Sequence, residues 1–216
     1  MPKRAMIVVG GGSSTRFGRD KLLSDVNGLP LIAHTIDAVA ASVDRCVVVC
    51  RPDSLEEISR IRPDVIVVAG GGTRTLSEMA GLAALGEEFD LIGIHDAARP
   101  AVARELIERL FSAAGDIGGA VPVIAPEQIL LDRKTHQPVD GIQRAQTPQV
   151  FRGGDIMMAY VKAAQAGADA QDTVEIMQRF AEVAIAALPG DPGNIKVTYP
   201  DDLRAVAQRL TTRPRT

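Results

Sequence analysis

AMIVVGGGSSTRFGRDKLL, residues 5–23, runs from a short apolar stretch into three glycines and then into a polar segment carrying Arg16, Arg19 and Lys21. A brief apolar run bounded by glycine reads as a buried strand. Glycines at its end let the backbone turn and approach a ligand closely. In an open α/β sheet such a turn lies at the carboxyl edge of the first strand, where ligands bind. Gly10, Gly11 and Gly12 would offer backbone N–H groups there, with Arg16 and Lys21 placing two cations beside them, a combination that suits a triphosphate. Two common nucleotide motifs do not fit. The dinucleotide fingerprint needs a third glycine where Thr15 stands, and the P-loop needs Gly-Lys-Ser/Thr where Gly18 is followed by Arg19 and Asp20.

Outward from this stretch, strand and helix patterns alternate. Residues 30–41 predict a helix with Pro30 in its first turn. CVVVC (46–50) predicts a strand, followed by a helix near 53–61, VIVVAG (65–70) as a strand and a helix over 74–86. LIGIH (91–95) is the next strand, then come a helix over 102–114 and GGAVPVI (118–124) as a strand. Continuous apolar strands between helices predict an α/β fold, a Rossmann-like, doubly wound, mostly parallel sheet. Residues 125–150 break the rhythm. ILL (129–131) and the run from Val139 to Gln146 flank the polar DRKTHQP, and predict a two-stranded β-arm protruding from the body. Helices follow at 154–166 and 172–180, a strand at 182–187, and a last helix from Asp201.

The chain has 216 residues, which suits one domain over 1–216 with the arm as an excursion from it. Hydrophobic residues make up 46% and aromatics only 3%, so the core is built from aliphatic side chains. The net charge is −3 with no long basic run, which argues against nucleic acid as a partner. No apolar stretch reaches the roughly 18 residues of a membrane span. Met1 to Arg4 lead straight into the first strand, so a cytoplasmic location is expected. Cys46 and Cys50 would sit about 13 Å apart on one strand face, too far for a disulfide.

Four further segments carry chemistry. In GGGTRTLSEMAGL (70–82), Gly71 and Gly72 open a helix, Thr73 is a candidate N-cap and Ser77 could read a base edge. In HDAARP (95–100), Asp96 could hold a divalent cation through oxygen and Arg99 could fork onto a phosphate. His95 reads as a buried, hydrogen-bonded histidine. RAQTPQVF (144–151) offers the Thr147 hydroxyl and otherwise reads as a strand end. In GNIKVT (193–198), Lys196 matters only if the fold returns it to the first loop.

Together these segments resemble the 2-C-methyl-D-erythritol 4-phosphate cytidylyltransferases of non-mevalonate isoprenoid synthesis, over residues 5 to about 210. The resemblance implies the nucleotide-diphospho-sugar transferase type of fold and CMP transfer from CTP, with Mg²⁺, to a small polyol phosphate. It implies Arg16, Lys21 and Lys196 as catalytic cations, and Gly10, Gly11, Gly12, Gly71, Gly72 and Ser77 around the nucleotide. Asp96, Arg99 and Thr147 would bind the acceptor, with Asp96 also a candidate metal ligand. A homodimer joined through the β-arm is implied too. Two departures fall on the acceptor side. Ala125 and Pro126 stand where the family usually has Asp-Thr, and Val139, Asp140 and Gly141 stand where it carries an arginine. The alternatives are another acceptor such as ribitol 5-phosphate, GTP in molybdopterin guanylyl transfer, and a CTP-binding paralogue without turnover.

Overall fold

In the computed structural model, residues 1–11, 17 and 20–212 are described. The elements in chain order begin with β1 (Arg4–Val9), the short hairpin β2 (Asp25–Val26) and β3 (Leu29–Pro30), and α1 (Leu31–Ala40). Next come β4 (Arg45–Cys50), α2 (Leu55–Ile61), β5 (Ile66–Ala69), α3 (Arg74–Ala84), β6 (Leu91–Asp96), α4 (Arg104–Ile117) and β7 (Gly118–Ile124). The remainder is β8 (Arg144–Ala145), β9 (Gln149–Arg152), α5 (Gly153–Gln165), α6 (Thr173–Phe180), β10 (Ala184–Pro189) and α7 (Asp202–Thr212).

The main sheet has the order β10-β7-β9-β6-β1-β4-β5, with β8 paired to β7 outside this path. β1 is central and parallel to both β4 and β6. Its alternation splits the core. Met6 and Val8 face a layer made with α1, α4 and Val206 of α7, while Ala5 and Ile7 face α3, α5 and α6. Both faces are therefore dry, which is why the strands read as unbroken apolar runs.

Three expectations are corrected. QVFR is not a strand end but β9, an antiparallel strand inserted between β6 and β7, with Val150 and Phe151 wholly buried. The arm is less regular than a two-stranded ribbon. Its tip is tied by an isolated bridge, Leu131 to Pro138, around a turn in which Asp132 accepts from the amides of Lys134 and Thr135. Only Arg144 and Ala145 of the returning run join a strand. Pro30 precedes α1 as its N-cap rather than entering the first turn. Cys46 and Cys50 are buried and free, on the same face of β4. Burial pushes their thiols up to about 12 and about 11.

Candidate active site

The carboxyl ends of β1, β4, β5 and β6 surround a cavity of about 640 Å³. Gly10, Gly11, Lys21, Gly71, Gly72, Ser77, Asp96 and Lys196 all line it, together with Arg51, Arg74 and Thr198. Gly12 and Arg16 lie outside the described residues. Thus the glycine turn near one end of the chain and Lys196 near the other meet on one cavity.

Gly10 and Gly11 leave little room for a side chain. A Cβ on Gly10 would come within 2.5 Å of Leu22 Cδ1, and one on Gly11 within 2.7 Å of Ser77 Oγ. The Gly10 N–H is already committed to Val49 O at 2.7 Å, so the turn has one fewer donor for a ligand than its glycines suggest. Ser77, 2% exposed, has its hydroxyl 2.8 Å from Thr73 O and 3.3 Å from Gly71 O. Its single proton is spent on a backbone carbonyl, so toward the cavity it presents lone pairs. Thr73 caps α3 through Leu76 N, as expected.

Lys21 opens a short 3₁₀ turn, Lys21–Leu23, capped by Asp20 through Leu22 N at 3.0 Å. The Lys21 ammonium donates to Val197 O at 2.9 Å. Val197 N in turn donates to Ala98 O at 2.8 Å. These bonds carry the 194–198 segment back over the end of β6 and deliver Lys196 to the cavity.

Asp96 is the centre of the charge arrangement. Its Oδ1 lies 2.8 Å from Arg74 Nη1, and its Oδ2 lies 3.1 Å from Arg99 Nε and 2.9 Å from Lys196 Nζ. Burial alone would raise its carboxyl, but Lys196, Arg74 and Arg99 outweigh that and hold it well below the usual carboxylate range. With three cations on one carboxylate, Asp96 is a poor direct ligand for a further dication. Among the described residues no group of three or more His, Cys, Asp or Glu could hold a metal ion.

Arg99 and Thr147 do not line the cavity. Arg99 is turned to Asp96 and, through Nη1, to Asn194 O at 2.7 Å. Thr147 is 2% exposed, and its hydroxyl accepts from Asp96 N at 2.9 Å and meets His95 Nδ1 at 3.1 Å. His95 Nε2 sits 3.0 Å from Arg99 O, which can only accept. The histidine is therefore protonated on Nε2 and takes the Thr147 proton on Nδ1. Burial lowers its pKa to about 4, which keeps it neutral. This trio braces the loop after β6.

Arg74 is the site residue that the sequence reading missed. Its Nε lies 2.8 Å from the buried Glu78 Oε1, while its other end reaches Asp96. The signal was present in TRTLSE (73–78), where Arg74 and Glu78 stand four apart at the start of a helix that opens on a glycine turn.

Solved structures define the class. A 4-diphosphocytidyl-2C-methyl-D-erythritol synthase from Anaerococcus prevotii superposes with a TM-score of 0.83 at 23% identity, over 97% of this chain and 99% of that one, which shows the fold. The 2-C-methyl-D-erythritol 4-phosphate cytidylyltransferase of Thermus thermophilus gives a TM-score of 0.81 at 26% identity, over 98% and 99%. The fold is that of the α/β nucleotidyltransferases to which these two proteins belong. More specifically, the model of the family described as IspD: 2-C-methyl-D-erythritol 4-phosphate cytidylyltransferase matches residues 5–213, and the chain belongs to that family. The enzyme of that name from Cereibacter sphaeroides is 37% identical, over 95% of this chain and 96% of that protein. The bifunctional enzyme IspD/IspF of Dinoroseobacter shibae is 36% identical over 98% of this chain. The chain spans about half, 55%, of that relative's length.

Proposed function

We propose that this protein transfers CMP from CTP to 2-C-methyl-D-erythritol 4-phosphate and releases pyrophosphate. The observation that carries this reading is the convergence of Lys21 and Lys196, from opposite ends of the chain, on the cavity lined by Gly10 and Gly11. In the transfer, a phosphate oxygen of the acceptor attacks the α-phosphate of CTP in line, and the bond to the β-phosphate bridge oxygen breaks. A phosphate monoester is already largely ionised near neutrality. No general base is needed, and His95, neutral and fully engaged, supplies none. Lys21 and Lys196, with Arg16, hold the anions together and neutralise charge growing on the α- and β-phosphates.

Ser77 supports a cytosine ring. Lone pairs facing the cavity accept from an exocyclic amino group and repel the carbonyl that uracil carries at the same place. Gly72 lines the same cavity, and a Cβ there would meet nothing within 4 Å. Mg²⁺ would accompany the triphosphate in this reading, since Asp96, already paired with three cations, is a poor direct ligand for it. It would supply charge neutralisation.

The arm leaves Ile129, Leu130, Leu131, Val139 and Ile142 exposed, which supports a homodimer in which each arm packs on the other subunit. A cytoplasmic location agrees with two free, buried thiols, and among the described residues no helix is long and apolar enough to cross a membrane.

The test is pyrophosphate release with CTP, Mg²⁺ and a panel of polyol phosphates. 2-C-Methyl-D-erythritol 4-phosphate is the expected acceptor, and preference for ribitol 5-phosphate would reassign it. Lys21→Ala should fold normally and lose about 10²–10³ in rate, the worth of one preorganised contact. Near-normal turnover in that variant would remove Lys21 from the mechanism.

A further inference from the structure

Asp96 is almost closed off from solvent, yet three cations share it, and they are not equivalent. Arg74 is clamped at both ends, between Asp96 and Glu78. Glu78 is itself fixed, accepting from Thr173 Oγ1 at 2.8 Å and from the Tyr160 hydroxyl, and is 1% exposed. Arg99 is tied to Asn194 O as well as to Asp96. Lys196 is the most exposed of the three, at 42%, against 21% for Arg74 and 12% for Arg99. Among the described residues its ammonium pairs with Asp96 alone.

This asymmetry has a physical use. A buried carboxylate that loses its only partner is strongly destabilised, whereas one that keeps two guanidinium partners is not. Taking the nucleotidyl-transfer reading as its basis, we propose that Arg74 is a positioning residue: by satisfying Asp96 together with Arg99, it frees Lys196 to leave that carboxylate for a phosphate of the substrate. Arg74 does not touch the reacting atoms. Glu78, one turn along the same face of α3 and itself held by Tyr160 and Thr173, keeps it in place. Without Arg74, Asp96 would retain the lysine, and the cavity would lose a cation that is still present in the chain.

A double-mutant cycle tests this. Arg74→Gln, Lys196→Gln and the double variant are compared with the parent in two measurements: calorimetric binding of inorganic tripolyphosphate, and kcat/KM for pyrophosphate release from CTP. Each single variant should weaken tripolyphosphate binding about tenfold, and the double variant should be no weaker than Lys196→Gln, because coupled residues do not add. Losses that multiply would mean that Arg74 contacts phosphate itself or acts only on the fold, and would overturn the proposal. So would unchanged binding in Arg74→Gln. Should that variant fail to fold, Arg74→Lys replaces it in the cycle, since an ammonium cannot span Glu78 and Asp96. The transferase reading fails separately, if the parent releases no pyrophosphate with any acceptor. Failure of the parent to bind tripolyphosphate would sink the positioning role.

Discussion

His95 and Asp96 are adjacent and both buried, but only one of them is charged at neutral pH. Asp96 is held ionised by its cations, whereas His95 is kept neutral by burial, with a pKa of about 4. The unfolded chain protonates this histidine near its ordinary value of about 6.5, and the folded protein does not. The contribution to stability is therefore complete above pH 6.5, falls as the pH drops, and levels off near 4, amounting to about 3 kcal/mol. Asp96 acts in a lower window, below the ordinary carboxylate value. Urea unfolding at pH 7.5 and 4.5 should show most of this loss in the parent and little of it in His95→Gln. Equal losses in both would assign the effect to another group. At this scale Lys21, Ser77, Asp96 and Lys196 were legible as residue types that do not belong in apolar or glycine-rich surroundings. Arg74 was not, because a lone arginine at a helix start looks solvated until the buried Glu78 behind it is seen.

Among the elements, most strands and helices could be read from apolar runs and their glycine or proline boundaries. β9 could not. Four residues between Pro148 and Gly153 give too short a run to show a period, and antiparallel insertion into a parallel sheet depends on β6 and β7, not on local sequence. Its junction with α5 is demanding. A Cβ on Gly153 would stand 1.8 Å from Phe89 O, backbone against backbone, whereas one on Gly154 would meet nothing within 4 Å. Gly153→Ala should cost about 3 kcal/mol, the upper part of the range for overpacking. Gly154→Ala should cost nothing. Chemical denaturation of the pair checks this, and equal stability would show that the β9–α5 turn shifts freely.

For the molecule as a whole, the doubly covered sheet and a site at its carboxyl edge followed from alternating elements. The arm's place did not, because residues 127–145 are exposed throughout and the body does not dictate their path. Its exposed aliphatic residues lead to a specific expectation. Glu at both Ile129 and Leu131, which are 79% and 57% exposed, should convert a dimer to monomers in sedimentation velocity without lowering the melting temperature of the body. A parent that sediments as a monomer would refute the arm-mediated dimer.

The bond from Lys21 to Val197 O also bears on synthesis. A nascent chain can build β1 and its glycine turn early, but some 170 further residues must follow before Lys196 reaches that turn. Affinity for the triphosphate should thus arrive abruptly, once residue 196 is free to fold back. Fragments cut short before residue 196 should contain most of the sheet yet bind nucleotide poorly.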